Sequence, residues 1–306
     1  MVEKTPLLDV FTYVFLMVGI AIVGFPIFYS LIAATLSLHE VSRVPMPLIP
    51  GDQFLINMHE AWTRGDLGTQ IFNSFCMATG ITLGKITVSI LGAFSIVYFD
   101  YKLRAVAFAS VFCTLMLPVE VRILPTYEVA ANVLAPLQPV WDFLHMDGIM
   151  SWITGHDMEV VLNWSLLDSY TGLILPLVAS ATCTFLFRQF FLTVPEELCE
   201  AAKMDGAGPM TFFRKILLPL SKTNIAALVV IEFVYGYNQY LWPLLITTNP
   251  RMTTAVIGLR DLIPQADDIP EWNVALGGAL LVMLPPVLVV LLMQRWFVKG
   301  LIEREK

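Results

Sequence analysis

Long apolar runs alternate with short polar segments along the whole chain. A helix needs about 20 apolar residues to cross the hydrocarbon core of a bilayer. Each such run must be helical, because the bilayer offers no water to satisfy a bare backbone. The pattern therefore predicts an all-α membrane protein, one transmembrane domain over residues 1–306 with six spans, at about 10–34, 71–99, 105–126, 170–193, 223–248 and 273–298.

Composition supports a membrane protein and excludes other classes. Hydrophobic residues make up 57% of the chain and charged residues only 14%, whereas a soluble domain carries about 25% charged residues. The first apolar run is longer than the roughly 7–15 residues of a cleaved signal, so we expect it to be retained as a span. The net charge of −7 does not favour nucleic acid as a partner.

Basic residues predict the orientation of the spans. Lys and Arg on short loops stay in the cytoplasm, and an arrangement with both termini in the cytoplasm places most of them there. The outer segments would then hold only five arginines, although they are longer. The cytoplasmic set would be Lys4, Lys102, Arg104, Arg188, Lys203, Arg214, Lys215, Lys222, Arg295, Lys299, Arg304 and Lys306.

One polar segment, residues 194–220, lies between the fourth and fifth predicted spans and would face the cytoplasm. Thr193 followed by Glu196 has the spacing of a capping box at a helix start. Gly206 is suited to ending that helix, and Pro209 to opening a second one. The segment therefore predicts a helix–turn–helix along the membrane face, which could lie on lipid headgroups or bind a partner protein.

The spacing within this segment resembles the cytoplasmic signature of the membrane subunits of bacterial ATP-binding-cassette importers. Glu200-Ala201-Ala202, three residues, Gly206, nine residues and then Ile216-Leu217-Leu218-Pro219 fit EAA-x3-G-x9-I-x-L-P. The resemblance implies the type I importer transmembrane fold, with residues 194–220 as a coupling loop that docks on an ATPase subunit. The ATPase-coupling residues it implies are Glu200, Ala201, Ala202, Asp205 and Gly206.

The resemblance extends to the carbohydrate-uptake, maltose-type branch of these importers. It is carried by stretches such as "LMLPVEVRILPT" (115–126), "ATCTFLFRQFF" (181–191), "YGYNQYLWPLL" (235–245) and "MLPPVLVVLLMQRWFVKGL" (283–301). It implies a multi-pass subunit of the bacterial inner membrane. The implied partners are a second permease subunit, two ATP-binding subunits and an extracytoplasmic solute-binding protein. The likeness favours sn-glycerol-3-phosphate or a glycerophosphodiester as solute, with a neutral sugar or polyol as the alternative.

The chain shows no energy source of its own. A phosphate-binding P-loop requires GxxxxGK[ST] between a strand and a helix. The string "GITLGKI" (80–86) has three residues between its glycines and lies within an apolar run. We therefore expect a translocation subunit without enzymatic activity or bound cofactor, with ATP and Mg²⁺ held by the partner ATPase. A carrier driven by an ion gradient is a less favoured alternative, since no inverted repeat is visible.

Ionisable and polar residues inside the spans are candidates for the solute pathway. Lys85 and Glu232 both fall near the bilayer midplane, where charges are costly and normally pair, so we predict that they are neighbours. The pair could be purely structural or could lie beside the solute route. Arg122, near the outer end of span three, could form a water-exposed rim pair with Glu120, which we favour, or could bind phosphate. Asn238 and Gln239 could bond a polyol or a neighbouring helix.

An extracytoplasmic insert at about 130–168 is not explained by the resemblance. About 30 residues between Val133 and Leu166 are additional to the usual short link between spans three and four. Three tryptophans in this insert favour a helix lying at the membrane interface, because indole rings concentrate at headgroup level. They are Trp141, Trp152 and Trp164.

Overall fold

The structure is a computed structural model, and it describes residues 6–115, 119–147, 151–152, 161–263 and 270–302. Its described residues form helices and connecting turns, without a strand. Two compact units are present, one from residues 1–71 with 255–284 and one from 72–254 with 285–306. The helices are α1 (Pro6–Ala33), α2 (Leu38–Val41), α3 (Phe54–Arg64), α4 (Leu67–Tyr98), α5 (Arg104–Leu115), α6 (Val119–Ala131), α7 (Gln138–Phe143), α8 (Tyr170–Leu177), α9 (Ala181–Phe191), α10 (Glu196–Met204), α11 (Pro209–Leu220), α12 (Lys222–Tyr237), α13 (Leu241–Ile246), α14 (Ala255–Asp261) and α15 (Trp272–Ile302).

Three of the six predicted spans are single helices. The helices α1, α4 and α15 are each long and apolar enough to cross a membrane. The third predicted span, 105–126, is covered by α5 and α6, and their junction lies outside the described residues. The fourth and fifth predicted spans are both broken, which the apolar pattern did not indicate.

The fourth predicted span consists of α8 and α9, which are bent by 48° relative to each other. Pro176 lies in the 3₁₀ turn that ends α8, where its missing N–H interrupts the helical bonding. Ser180 then begins the next helix, because its hydroxyl accepts a hydrogen bond from the Cys183 amide at 3.2 Å. A continuous helix over 170–193 was therefore the wrong expectation.

The fifth predicted span ends early. The helix α12 stops at Tyr237, Asn238 follows as its C-cap, and the chain becomes helical again only at Leu241. Pro243 explains the break, since its ring would clash with the Gln239 carbonyl in a continuous helix. At its other end α12 meets α11 at a bend of 71°. The two helices therefore turn sharply at Ser221, which lies between them.

Two glycines on one face of α4 allow the broken fourth span to pack closely against it. A Cβ on Gly80 would lie 2.5 Å from Ile174, and a Cβ on Gly84 would lie 2.6 Å from Val178. These glycines stand four residues apart, which places them one above the other on the helix surface. Small residues at this spacing are a common basis of close helix packing in membranes.

The unit that contains α1 is held by buried amides. Asn57 donates hydrogen bonds to the carbonyls of Ala34 and Leu36, both at 2.9 Å. Asn273 in turn donates to the side-chain oxygen of Asn57 at 2.8 Å. These bonds tie α3 and α15 to the end of α1. Most of α1 is exposed within the chain, so lipid or another polypeptide must cover it.

The described part of the insert at about 130–168 is closed at its base by hydrogen bonds. The Val133 amide donates to the Trp164 carbonyl, and the Leu166 amide donates to the Ala130 carbonyl, both at 2.9 Å. Trp152 and Trp164 are exposed, at 86% and 56% of their surface. Their exposure is compatible with the predicted position at a membrane interface, which stays a prediction.

Candidate functional site

The predicted coupling loop, residues 194–220, begins with a helix that lacks the predicted cap. The helix α10 has Pro195 as its N-cap, and no side chain caps it. The Thr193 hydroxyl instead donates to the Phe190 carbonyl at 2.7 Å, so the capping-box prediction was wrong. Glu196 and Glu197 in the first turn still interact favourably with the positive end of the helix dipole.

Gly206 ends α10 in the manner expected from the sequence. Its φ of +71° lies in the left-handed region that side chains disfavour. Its amide donates to the Lys203 carbonyl at 3.0 Å, and the Ala207 amide donates to the Ala202 carbonyl at 2.9 Å. These two bonds form a Schellman motif. Pro209 then opens α11, as predicted.

The structure divides the five predicted coupling residues into two groups. Four of them are exposed: Glu200, Ala201, Asp205 and Gly206. Ala202 is only 5% exposed, because it is buried in a cluster that includes Phe187, Phe191, Phe212 and Phe213. Ala202 therefore anchors the loop on its own chain, and the other four residues form the surface that a partner could contact.

An ion pair lies deep in the second unit. Lys85 Nζ is 2.7 Å from Glu232 Oε2, and both residues are 6% exposed. The prediction that these two residues are neighbours is confirmed. The Cys183 thiol donates a hydrogen bond to the other carboxylate oxygen of Glu232 at 2.8 Å. The Lys85 ammonium also lies 3.9 Å from the centre of the Tyr235 ring, within the range of a cation–π contact.

The ion pair lines an open cavity of about 460 Å³ in the same unit. Arg122 and Gln239 line it too, so four of the five candidate pathway residues share one space. Asn238 does not line it, since it is the exposed C-cap of α12. The remaining lining residues are Thr114, Ile123, Thr126, Pro176, Leu177, Ala179, Ser180, Ala181, Thr182, Ile231, Tyr235, Leu241 and Trp242.

Sequence reasoning missed Cys183 and the serine and threonine hydroxyls of the cavity. Cys183 lies in an apolar run, where a thiol usually behaves as a small hydrophobe, so the sequence offers no sign of its hydrogen bond to Glu232. Ser180 and Thr182 line the cavity because α8 and α9 separate there. The signal that could have revealed them is Pro176, which marks the break. Within the described residues, no group of three or more His, Cys, Asp and Glu side chains is placed to hold a metal ion.

A second polar feature joins the start of α8 to the segment after α13. The Asp168 carboxylate accepts hydrogen bonds from the Thr248 amide and hydroxyl, both at 2.6 Å, and from the Asn249 amide at 2.7 Å. The hydroxyl of Thr248 is the main cause of a lowered pKa for Asp168, and the Asn249 amide adds to it. The turn is therefore fastened by a carboxylate in its ionised form.

Comparison with known proteins defines the class. Residues 85–303 match the family of the binding-protein-dependent transport system inner membrane component. The chain belongs to this family, so it is a translocation subunit of an importer of the inner membrane. A bacterial ATP-binding-cassette transporter that imports the acidic polysaccharide alginate shares the fold, with a TM-score of 0.74 over 97% of this chain and 99% of that one, at 16% identity. The type I importer fold predicted from the sequence is confirmed.

Three relatives that match this chain over its full length are permeases of the same name. The chain is 50% identical, over all of both sequences, to the sn-glycerol-3-phosphate transport system permease protein UgpE of Pectobacterium atrosepticum. It is 49% identical, again over all of both sequences, to the proteins of the same name in Yersinia enterocolitica and Rhizobium meliloti. The expected likeness to the carbohydrate-uptake branch is thus confirmed at the level of the individual permease.

Proposed function

We propose that this chain is a permease subunit of an ATP-driven importer of sn-glycerol-3-phosphate. The observation that carries the proposal is the 50% identity over the whole length to a permease named for that solute. The cavity adds independent support. Two of its lining side chains, Arg122 and Lys85, are cationic and can attract the phosphate of such a solute.

The assembly would contain four further polypeptides. A second, similar permease subunit completes the pathway as a heterodimer, two ATP-binding subunits supply the energy, and an extracytoplasmic binding protein delivers the solute. ATP and Mg²⁺ are bound by the ATP-binding subunits. Both termini of the chain and its coupling loop lie in the cytoplasm, in keeping with the distribution of Lys and Arg.

The coupling loop would transmit the nucleotide cycle to the spans. Its exposed residues Glu200, Ala201, Asp205 and Gly206 contact an ATP-binding subunit, while the buried Ala202 joins the loop to the helices behind it. Closure of the ATP-binding subunits moves the loop and switches the cavity between the two faces of the membrane. Net import follows because only the outer face receives loaded binding protein.

In the cavity, Arg122 and Lys85 would guide the phosphate, and Gln239 would bond the glycerol hydroxyls. Arginine can grip phosphate with two parallel hydrogen bonds, and an amide can both donate and accept. The aromatic ring of Trp242 lines the same space and offers an apolar face to the carbon skeleton.

The test is stimulation of ATP hydrolysis in the reconstituted assembly by loaded binding protein. We expect sn-glycerol-3-phosphate to stimulate hydrolysis and to accumulate inside proteoliposomes, and neutral sugars and polyols to do neither. Stimulation by a neutral sugar alone would overturn the assignment of the solute. Uptake by the purified chain without any ATP-binding subunit would overturn the assignment as an ATP-driven importer.

A further inference from the structure

The helix α7, in the insert at about 130–168, carries its apolar side chains on the outside. Leu137, Val140, Phe143 and Leu144 are spaced three and four residues apart, so they form one stripe along α7 and the residues at its two ends. Each of them is exposed, by 52% to 80% of its surface. A helix at the surface of a globular domain normally turns such a stripe toward the core. The chain therefore leaves this apolar stripe to be covered by something else.

The polar side of α7 is the side that holds the helix to its own chain. The Leu162 amide donates a hydrogen bond to the side-chain oxygen of Gln138 at 2.8 Å. The side-chain nitrogen of Gln138 donates to the Asp142 carboxylate, and the Trp141 indole donates to the Asp147 carboxylate, both at 2.8 Å. The helix is thus fastened through polar groups while its apolar stripe faces outward, which is the reverse of the pattern of a water-exposed helix.

The insert stands at the end of the membrane helices. Its base residues Ala130 and Leu166 are buried in one cluster with Met77 of α4 and Trp242 of α13. The helix α6 ends at Ala131 and α7 begins at Gln138, which leaves the six residues 132–137 as the connection. A connection of this length spans at most about 20 Å. The helix α7 is therefore held within reach of the membrane surface that adjoins this end of the helices.

We propose that Leu137, Val140, Phe143 and Leu144 insert into the membrane interface, so that α7 anchors the insert on the outer leaflet of the bilayer. This inference goes beyond the proposed function and rests on it only for the side of the membrane. The apolar stripe offers no hydrogen-bonding side chain, and lipid hydrocarbon requires none, whereas protein interfaces carry about one hydrogen bond per 100–200 Å². The exposed indole of Trp164 in the same insert is of the type that concentrates at headgroup level.

This contact depends on apolar burial rather than on charge. The sequence contains no lysine or arginine between residues 123 and 187, whereas the insert contains Asp142 and Asp147. A helix that is drawn to anionic lipid carries Lys and Arg on its polar face. The helix α7 should therefore bind a neutral bilayer at least as well as an anionic one. High salt should not release it, because salt screens the attraction between charges and leaves apolar burial in place.

The experiment places a dansyl-bearing amino acid at position 143, in place of Phe143, in the complete importer. The importer is reconstituted in phosphatidylcholine vesicles whose acyl chains either carry bromine or do not, because bromine quenches a fluorophore only at close range. We expect brominated lipid to lower the emission about twofold or more, since an interfacial helix buries its apolar face about 5–10 Å into the headgroup and acyl boundary. The matched control is the same label in place of the neighbouring Asp142, whose exposed side chain is bonded to Gln138 on the polar side and whose emission should not change.

A second label and a change of salt make the test decisive. The same label in place of Leu144 should also be quenched, so that a local disturbance at one position cannot decide the result. Absence of quenching at both positions would overturn the inference. Quenching at Phe143 that disappears in high salt, or that requires phosphatidylglycerol in the vesicles, would also overturn it, because a charged contact would then hold the helix.

The partners of the importer supply the alternative occupants of the apolar stripe. Loss of the quenching when loaded binding protein is added would overturn the inference, since protein rather than lipid would then cover the stripe in the working complex. Quenching that persists with binding protein bound would support it. Failure of the wild-type importer to take up sn-glycerol-3-phosphate would overturn the proposed function alone, because the quenching is measured without transport.

Discussion

The substitution Gly206→Asp in the coupling loop is expected to abolish solute-stimulated ATP hydrolysis without preventing folding. Gly206 has φ of +71°, and a residue with a side chain pays about 1–2 kcal/mol for this conformation. Asp and Asn pay less than most, because their side chains can hydrogen-bond locally. A Cβ at Gly206 would have no atom of its own chain within 4 Å. The chain itself should therefore tolerate the change, against a typical total stability of about 5–15 kcal/mol.

The effect should arise at the surface that we propose contacts the ATP-binding subunit. A carboxylate and its added volume would stand where that proposed partner approaches a bare glycine. We expect normal membrane insertion and at least a tenfold loss of hydrolysis stimulated by loaded binding protein. Gly206→Asn should cause a similar loss, because it adds the same volume with little backbone strain. Gly208→Ala is the control, since Gly208 has φ of −70° and open space around it.

The assay compares basal and stimulated ATP hydrolysis of the reconstituted importer with matched amounts of each variant. Wild-type stimulation in Gly206→Asp would refute the assignment of this loop as the docking site. Loss of stimulation in Gly206→Ala but not in Gly206→Asn would refute the steric reasoning, since backbone strain would then explain the effect.

Three further predictions concern the Lys85–Glu232 pair, the packing of Gly84 and the turn that is fastened by Asp168. Lys85→Met leaves Glu232 buried without its partner and should lower the free energy of unfolding by about 3–5 kcal/mol, measured by chemical denaturation in detergent. Gly84→Val places a branched side chain against Val178 and should lower it by about 1–3 kcal/mol in the same assay. Because the pKa of Asp168 is lowered in the folded protein, its hydrogen bonds stabilise the turn fully above the ordinary carboxyl pKa of about 4. This stabilisation is lost as the pH falls through the pKa of the folded state. Amide hydrogen exchange at this turn should therefore accelerate in acid, relative to the intrinsic exchange rate.

Each of these predictions has a matched control. Changing both Lys85 and Glu232 to Met should restore most of the lost stability, and a double variant as unstable as Lys85→Met would contradict the cost assigned to the lone carboxylate. Gly92→Ala should be well tolerated, because a Cβ there would have only an ordinary contact at 3.8 Å. Asp168→Asn should remove the acid dependence, and persistence of that dependence would assign it to another group.

Much of the fold could be predicted from apolar length alone. The helices α1, α4 and α15 were predicted because the bilayer requires a long continuous helix wherever the sequence stays apolar. The breaks near Pro176 and Pro243 were not predicted, because an apolar run looks the same in a broken and in an unbroken span. A proline within such a run was the available signal, but α15 shows that it is ambiguous, since this helix continues through Pro285 and Pro286.

The part of the site that could be predicted is the part in which an unpaired charge would be energetically costly. Lys85 and Glu232 could be paired because an isolated charge in a membrane is expensive. The burial of Ala202 could not be predicted, since small residues fit equally well against the chain's own aromatic cluster or against a partner. Asn238 does not line the cavity that Gln239 lines, because neighbouring residues at the end of a helix can face opposite directions.

The aromatic cluster behind Ala202 has a mechanical consequence. It joins Phe94 of α4, Phe187 of α9, Phe213 of α11 and Leu228 of α12 in one continuous packed body. The parts of these helices that form the cluster cannot slide past one another without opening it to water. A push on the loop should therefore displace them together, and we expect any bending to occur at the non-helical segments 178–180 and 238–240.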